Sequence, residues 1–151
     1  MTQVVESLSL LERAVATRAL PIPLKTVIVG GPRTGKTTLG DRIGAECSVA
    51  VRHTDELVGK LAWGDDSLEV ARWFDEPGEW VIEGVTAVRA LRKWMSNNPG
   101  KLLVGVLVIY LRSPMVAQTS GQVSTSKGVQ TIWSGIENEL GIRGADVRVL
   151  T

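Results

Sequence analysis

The chain has 151 residues, 44% of them hydrophobic and 22% charged, a composition that folds and excludes global disorder. Seventeen Lys plus Arg against sixteen Asp plus Glu leave a net charge of +1, so no overall field draws it to nucleic acid or to an anionic membrane. The single cysteine, Cys47, excludes an internal disulfide, fits a reducing compartment and reads as a small buried hydrophobe.

The length suits one domain over residues 1–151, with 1–24 as an N-terminal helical extension and 25–151 as the core. From Val4 to Leu20 the residues Val4, Leu8, Leu11, Val15 and Ala19 recur at helical spacing and predict an amphipathic helix. Pro21 and Pro23 stop it. Thr26-Val27-Ile28-Val29 is β-branched and runs into Gly30-Gly31-Pro32, which predicts a buried strand feeding a tight loop. A helix is expected over Thr37–Cys47, then a strand over Val49–His53 and a helix from Glu56 towards Trp63. Ser67 is the expected N-cap of a further helix, which Pro77-Gly78 ends.

Trp80-Val81-Ile82 predicts the third strand, closing at Glu83-Gly84, and Val85–Met95 a helix that ends in the turn formers Asn97-Asn98-Pro99-Gly100. Leu102–Leu111 is the longest apolar run; at ten residues it falls well short of the about 18 that span a bilayer, and it reads as a buried strand. Ser113–Ser126 contains no charged residue and is expected as a loop or a weak helix. A helix over Gly128–Leu140 and a strand over Val147–Leu150 complete the pattern. Strands alternate with helices, and several strands are apolar on both faces, as a parallel sheet covered on both sides requires. With no secretory pattern at the N-terminus, a cytoplasmic location is expected.

Gly30-Gly31-Pro32-Arg33-Thr34-Gly35-Lys36-Thr37 fits G-x-x-x-x-G-K-[ST] at every fixed position, between a predicted strand and a predicted helix. The glycines let successive N–H groups curl around a phosphate at a helix N-terminus, whose partial positive charge favours anions. Lys36 adds a full charge for the β- and γ-phosphates, the Thr37 hydroxyl is a hard donor for Mg²⁺, and Thr38 is expected at the α-phosphate. The expected ligand is a nucleoside triphosphate, ATP with Mg²⁺.

From Lys25 to Leu150 the chain resembles the small P-loop kinases, the group that includes shikimate, adenylate, cytidylate and uridine kinases, and similar small phage-encoded P-loop proteins. The resemblance rests on the strand-loop-helix start, on Asp55 after the second strand, on Ile82-Glu83-Gly84, and on Tyr110-Leu111-Arg112-Ser113-Pro114. It implies a three-layer α/β P-loop NTPase fold with five parallel strands in the order 2-3-1-4-5, the site lying at their carboxyl ends.

It also implies that Asp55 contacts the acceptor hydroxyl and takes its proton; the other reading of Asp55 is a helix N-cap. Glu83 is the expected second metal contact, with Asp55 the alternative for that work. Arg89 is expected to grip an anionic group of the acceptor, with Arg92 and Lys93 as alternatives and a solvated basic face as the plain reading. His53, the only histidine, reads as structural. Trp63 and Trp73 fall in the region that forms the acceptor pocket in these kinases, where one could stack on a ring; the other tryptophans read as core.

The chain departs from the family where a lid would bring arginines onto the transferring group, because no Arg or Lys lies between Arg112 and Lys127. Arg112, Lys127 and Arg33 in the loop are the remaining cations, and Arg112 is the catalytic candidate among them. The expected function is a kinase that transfers the γ-phosphoryl group to a small-molecule or nucleotide acceptor. The alternative is a nucleotide-binding regulator or slow NTPase acting through a protein partner. A polynucleotide kinase is disfavoured by the lack of a strong basic stretch, and a small GTPase by the lack of Asn-Lys-x-Asp.

Overall fold

The computed structural model describes residues 2–5, 24–62 and 64–150. Its strands are β1 (Thr2–Val5), β2 (Lys25–Gly30), β3 (Val51–His53), β4 (Trp80–Glu83), β5 (Val106–Leu111) and β6 (Asp146–Leu150). The helices are α1 (Lys36–Cys47), α2 (Asp65–Trp73), α3 (Ala87–Asn97) and α4 (Ser120–Ile142). All six strands pair in parallel, in the order β1-β6-β5-β2-β4-β3.

The five core strands therefore run in the expected order, with β2 as the first. The sixth is a correction: Val4 and Val5, expected to open a helix, pair as strand residues with Val149 and Leu150. The remainder of the expected N-terminal helix lies outside the described residues.

The residues of β2 and β5 are apolar at odd and even positions alike, so each strand buries both faces. Val27, Val29, Val106, Val108 and Tyr110 join α2, α3 and α4 in one cluster, whereas Ile28, Leu107, Ile109 and Leu111 pack with Leu39 and Ile43 of α1. Helices thus cover opposite faces, and β2 and β5 send their following helices to different sides. The crevice above the carboxyl ends of those two neighbours is where open α/β sheets bind ligands. The same parity puts Glu83, two residues past Val81, on the α1 face of β4.

Several expected boundaries moved; α2 starts at Asp65 behind the left-handed N-cap Gly64, and Ser67, the expected N-cap, lies inside the helix with its hydroxyl donating to Gly64 O. Glycines with left-handed φ at Gly59 and Gly64 limit the expected Glu56–Trp63 helix to a single 3-10 turn, Thr54–Leu57. β5 begins only at Val106, since Gly105 turns at φ 86° and Leu102 and Val104 face solvent. The neutral segment is more helical than expected: α4 starts at Ser120 because Thr119 and Gln122 form a reciprocal capping box, and it runs through Gly141. Cys47 is half-buried against the α1-side cluster. Among the described residues no helix is long and apolar enough to cross a membrane.

Candidate functional site

The expected phosphate loop connects β2 to α1 at the centre of the sheet. Gly35 is the N-cap of α1 with φ 89° and ψ 15°, a left-handed conformation open to glycine at no steric cost, and as a glycine it brings no side chain to cap the helix. The first-turn N–H groups consequently have no side-chain acceptor from the N-cap residue. Gly30 is buried at the end of β2, and Arg33, Thr37 and Thr38 are exposed. Arg33 adopts φ 60°.

Lys36 is 8% exposed and its Nζ donates to Gly31 O at 2.6 Å, which folds the side chain back across the loop; the Thr34 hydroxyl donates to the same carbonyl at 2.9 Å. An ammonium has three donors, so two remain for a ligand. Burial lowers the Lys36 pKa, while the carboxylates of Glu83 and Asp55 pull it back up. Both acidic residues expected at the site therefore act on the loop lysine.

Glu83 is 2% exposed, and its Oε1 accepts from the Thr37 hydroxyl at 3.1 Å and from His53 Nδ1 at 2.6 Å. A carboxylate only accepts here, so the proton sits on His53 Nδ1. The hydrogen bond His53 donates to Glu83 raises the His53 pKa against partial desolvation, and the nearby charges of Glu83, Asp41 and Glu56 raise it further. His53 Nε2 lies 3.4 Å from Asp41 Oδ1 of α1. Sequence reasoning placed His53 outside the site, yet β3 and β4 end level, with His53 and Glu83 as register partners. That pairing was the available signal.

Thr37 and Glu83 together offer a hydroxyl and a carboxylate, hard oxygen donors suited to Mg²⁺. Among the described residues no three His, Cys, Asp or Glu side chains converge on a metal position. Such a donor set fits an ion held mainly by phosphates and water rather than by a protein cage.

Asp55 is exposed in the Thr54–Leu57 turn, whose N-cap is His53 with no side-chain cap bond, so Asp55 does not serve as an N-cap. One cavity is lined by loop residues and a second lies among the segments that follow β3 and β4. On the β5–β6 side one of about 250 Å³ is lined by Thr34, Gly35, Leu111, Arg112, Pro114 and Met115 among others. On the β3–β4 side one of about 270 Å³ is lined by Leu57, Val58, Leu61, Ala62, Asp66 and Arg89, with two glycines. Arg112 thus lines the cavity at the loop, and Arg89 lines the other one. Of the alternatives to Arg89, Arg92 is exposed and Lys93 Nζ donates to Gly64 O at 2.8 Å.

Trp73 is buried in the core with the Arg52 guanidinium 3.8 Å over its ring, which removes it from any stacking role at the cavity. Trp63 lies outside the described residues. Trp80, Trp94 and Trp133 are core residues, as expected.

No protein-family model matches the chain. No curated protein matches it either. Among solved structures it is similar to a gluconokinase from Sinorhizobium meliloti 1021, at 16% identity over 86% of this chain and 83% of that one, with a TM-score of 0.49. So distant a likeness bears no weight for activity, and the fold stands on the strand order and the position of the loop.

Proposed function

We propose that the chain binds ATP with Mg²⁺ and transfers the γ-phosphoryl group to a small-molecule or nucleotide acceptor. The observation that carries this reading is the Gly30–Thr37 loop, with a glycine N-cap at the helix start, a buried Lys36 and a Thr37 hydroxyl tied to a buried Glu83. Backbone N–H groups and Lys36 would hold the β- and γ-phosphates, with Thr38 in the first turn of α1 nearest the α-phosphate. Thr37 and Glu83 would hold the metal, with Asp55 the alternative for the second contact; a bound Mg²⁺ supplies charge neutralisation on the phosphates.

The two cavities supply the rest of the reading. The apolar wall of Leu111, Pro114, Met115 and Leu150 beside Gly35 suits a flat base, with Arg112 in the same lining positioned to meet developing charge. The second cavity carries Arg89 and Asp66 in a lining of mixed polar and apolar character, which suits an acceptor with an anionic group for Arg89 and a hydrogen-bond donor for Asp66. Asp55, in the turn that leads into that lining, would take the acceptor's proton.

A second reading is favoured by one observation, the absence of Arg and Lys from 113–126, the segment lying against the loop. It is a nucleotide-binding regulator or slow NTPase that works with a protein partner. ADP release measured with ATP and Mg²⁺, alone and across nucleosides, nucleotides, hydroxy acids and sugars, separates the two. Stimulation by one acceptor class supports the kinase; tight ATP binding with no stimulation by any acceptor supports the regulator. Lys36→Ala should abolish binding or turnover in either case, and unchanged ATP affinity and activity in that variant would refute the phosphate-loop assignment.

A further inference from the structure

The uncharged segment after β5 is tied to the phosphate loop at several points. The Met115 backbone N–H donates to Arg33 O at 2.8 Å. Gln118 Nε2 donates to Pro32 O at 2.6 Å and to the Ser126 hydroxyl at 2.9 Å. Because a carbonyl can only accept, the amide NH₂ must face Pro32 O, and both of its hydrogens are then used. Ser126, early in α4, lies so close to Gly31 that a β-carbon there would fall 2.1 Å from its Oγ and 3.0 Å from its Cα. A side chain at position 31 would therefore push Ser126 and the start of α4 away from the loop.

A trans peptide is planar, so its C=O and N–H point in opposite directions. Holding Pro32 C=O against Gln118 aims the Arg33 N–H the other way, and holding Arg33 C=O against Met115 does the same for the Thr34 N–H. The preceding carbonyl, Gly31 O, belongs to a peptide whose nitrogen is Pro32 and carries no hydrogen. It takes the two donors from within the loop, Lys36 and Thr34. Three successive carbonyls are thus pinned, two of them from outside the loop.

We infer that Gln118 is a positioning residue for the phosphate loop: together with the Met115 N–H it fixes the peptide planes so that the Arg33 and Thr34 N–H groups stay aimed at a phosphate. The inference rests on the proposed reading of the loop as a phosphate site. The segment that lacks lid cations contributes to that site by orienting its donors.

The test uses Gln118→Met, which keeps length and removes the donor, with Gln118→Ala as a second variant that adds no bulk should the first misfold. Binding of inorganic tripolyphosphate and of ATP is followed by calorimetry, and the ¹⁵N–¹H shifts of Arg33 and Thr34 are followed during the tripolyphosphate titration. The expected result is a loss of affinity of roughly three- to tenfold for both ligands, as for one hydrogen bond. Smaller Arg33 and Thr34 shift changes than in the wild type, with little change in melting temperature, should accompany it. Wild-type affinity in both variants overturns the positioning role, and so does a loss of affinity that leaves those two amide responses intact. Wild-type protein that binds neither ligand, giving the same result as Lys36→Ala, overturns the phosphate-site reading itself.

Discussion

Replacing Glu83 with Gln tests the metal assignment through a change of sign. The carboxylate is 2% exposed and its Oε1 accepts from Thr37 and His53. Gln has the same length and keeps an accepting oxygen, so both bonds can persist and the main loss is one negative charge. If Glu83 contributes to holding Mg²⁺, the variant should need about 10- to 100-fold more Mg²⁺ for half-maximal ATP binding, the usual cost of losing a supporting ligand group. Without Mg²⁺ the effect should reverse. A buried negative charge near the loop lysine opposes a triphosphate, and removing it should leave metal-free ATP affinity equal or higher. Calorimetric titrations of ATP in excess EDTA and over a series of Mg²⁺ concentrations measure both limbs, with thermal melts establishing that the variant is folded. Equal weakening with and without Mg²⁺ would refute the metal role and make Glu83 a structural anchor for Thr37 and His53.

Gly35→Ala forces a side chain onto a φ of 89°, which costs about 1–2 kcal/mol; a fall in melting temperature of roughly 2–8 °C is expected, and an unchanged melt would contradict the observed loop geometry. Arg143 is 8% exposed, and its guanidinium donates to Glu139 and to the backbone carbonyls of Met95, Asn98 and Lys101 at the end of α3. Arg143→Ala leaves those carbonyls without that partner and should cost about 3 kcal/mol in denaturant unfolding; a loss below about 1 kcal/mol would show that water replaces the guanidinium. His53 has its pKa raised, chiefly by its hydrogen bond to Glu83. The stability it contributes is therefore complete below its unfolded value of about 6.5 and is lost as pH rises through the folded value. Denaturant midpoints of wild type and His53→Gln in EDTA should differ most near pH 6 and converge in alkali, and a gap independent of pH would refute the pairing.

The alternation of strands and helices was legible because β2, β4 and β5 are short, apolar on both faces and bounded by glycine or proline. The strand-loop-helix start was legible because its pattern is local: the eight residues Gly30–Thr37 carry it. What depends on register was not. His53 reaches Glu83 only because two strands far apart in sequence lie side by side and end together, and a lone histidine carries no local mark of that. Helix limits were misplaced where side-chain capping decided them, as at Thr119, or where left-handed glycines intervened, as at Gly59 beyond the Thr54–Leu57 turn and at Gly64, the N-cap of α2. Trp73 looked like a candidate for the acceptor side from its place in the chain, but its side of α2 faces the core.

The uncharged stretch from Ser113 to Ser126 shows why composition misleads when it is read for one role alone. As a lid it lacks the cations that would meet a transferring phosphoryl group. Lying against the loop, it faces carbonyl oxygens, and for these a neutral amide is the better partner. A lysine or arginine at position 118 could also donate to Pro32 O, but a flexible cation so close to a polyphosphate would be drawn to the ligand and would release the carbonyl when the site fills. Gln118 has no such pull, and its second hydrogen is held by Ser126, so it can keep the loop in one conformation whether or not phosphate is bound. In the proposed function the work of neutralising charge would then fall to Lys36, to Arg112 in the neighbouring cavity and to the metal. That division of labour predicts a site whose affinity for phosphate is set largely before any closure, so ATP association should lack a slow protein-closing phase.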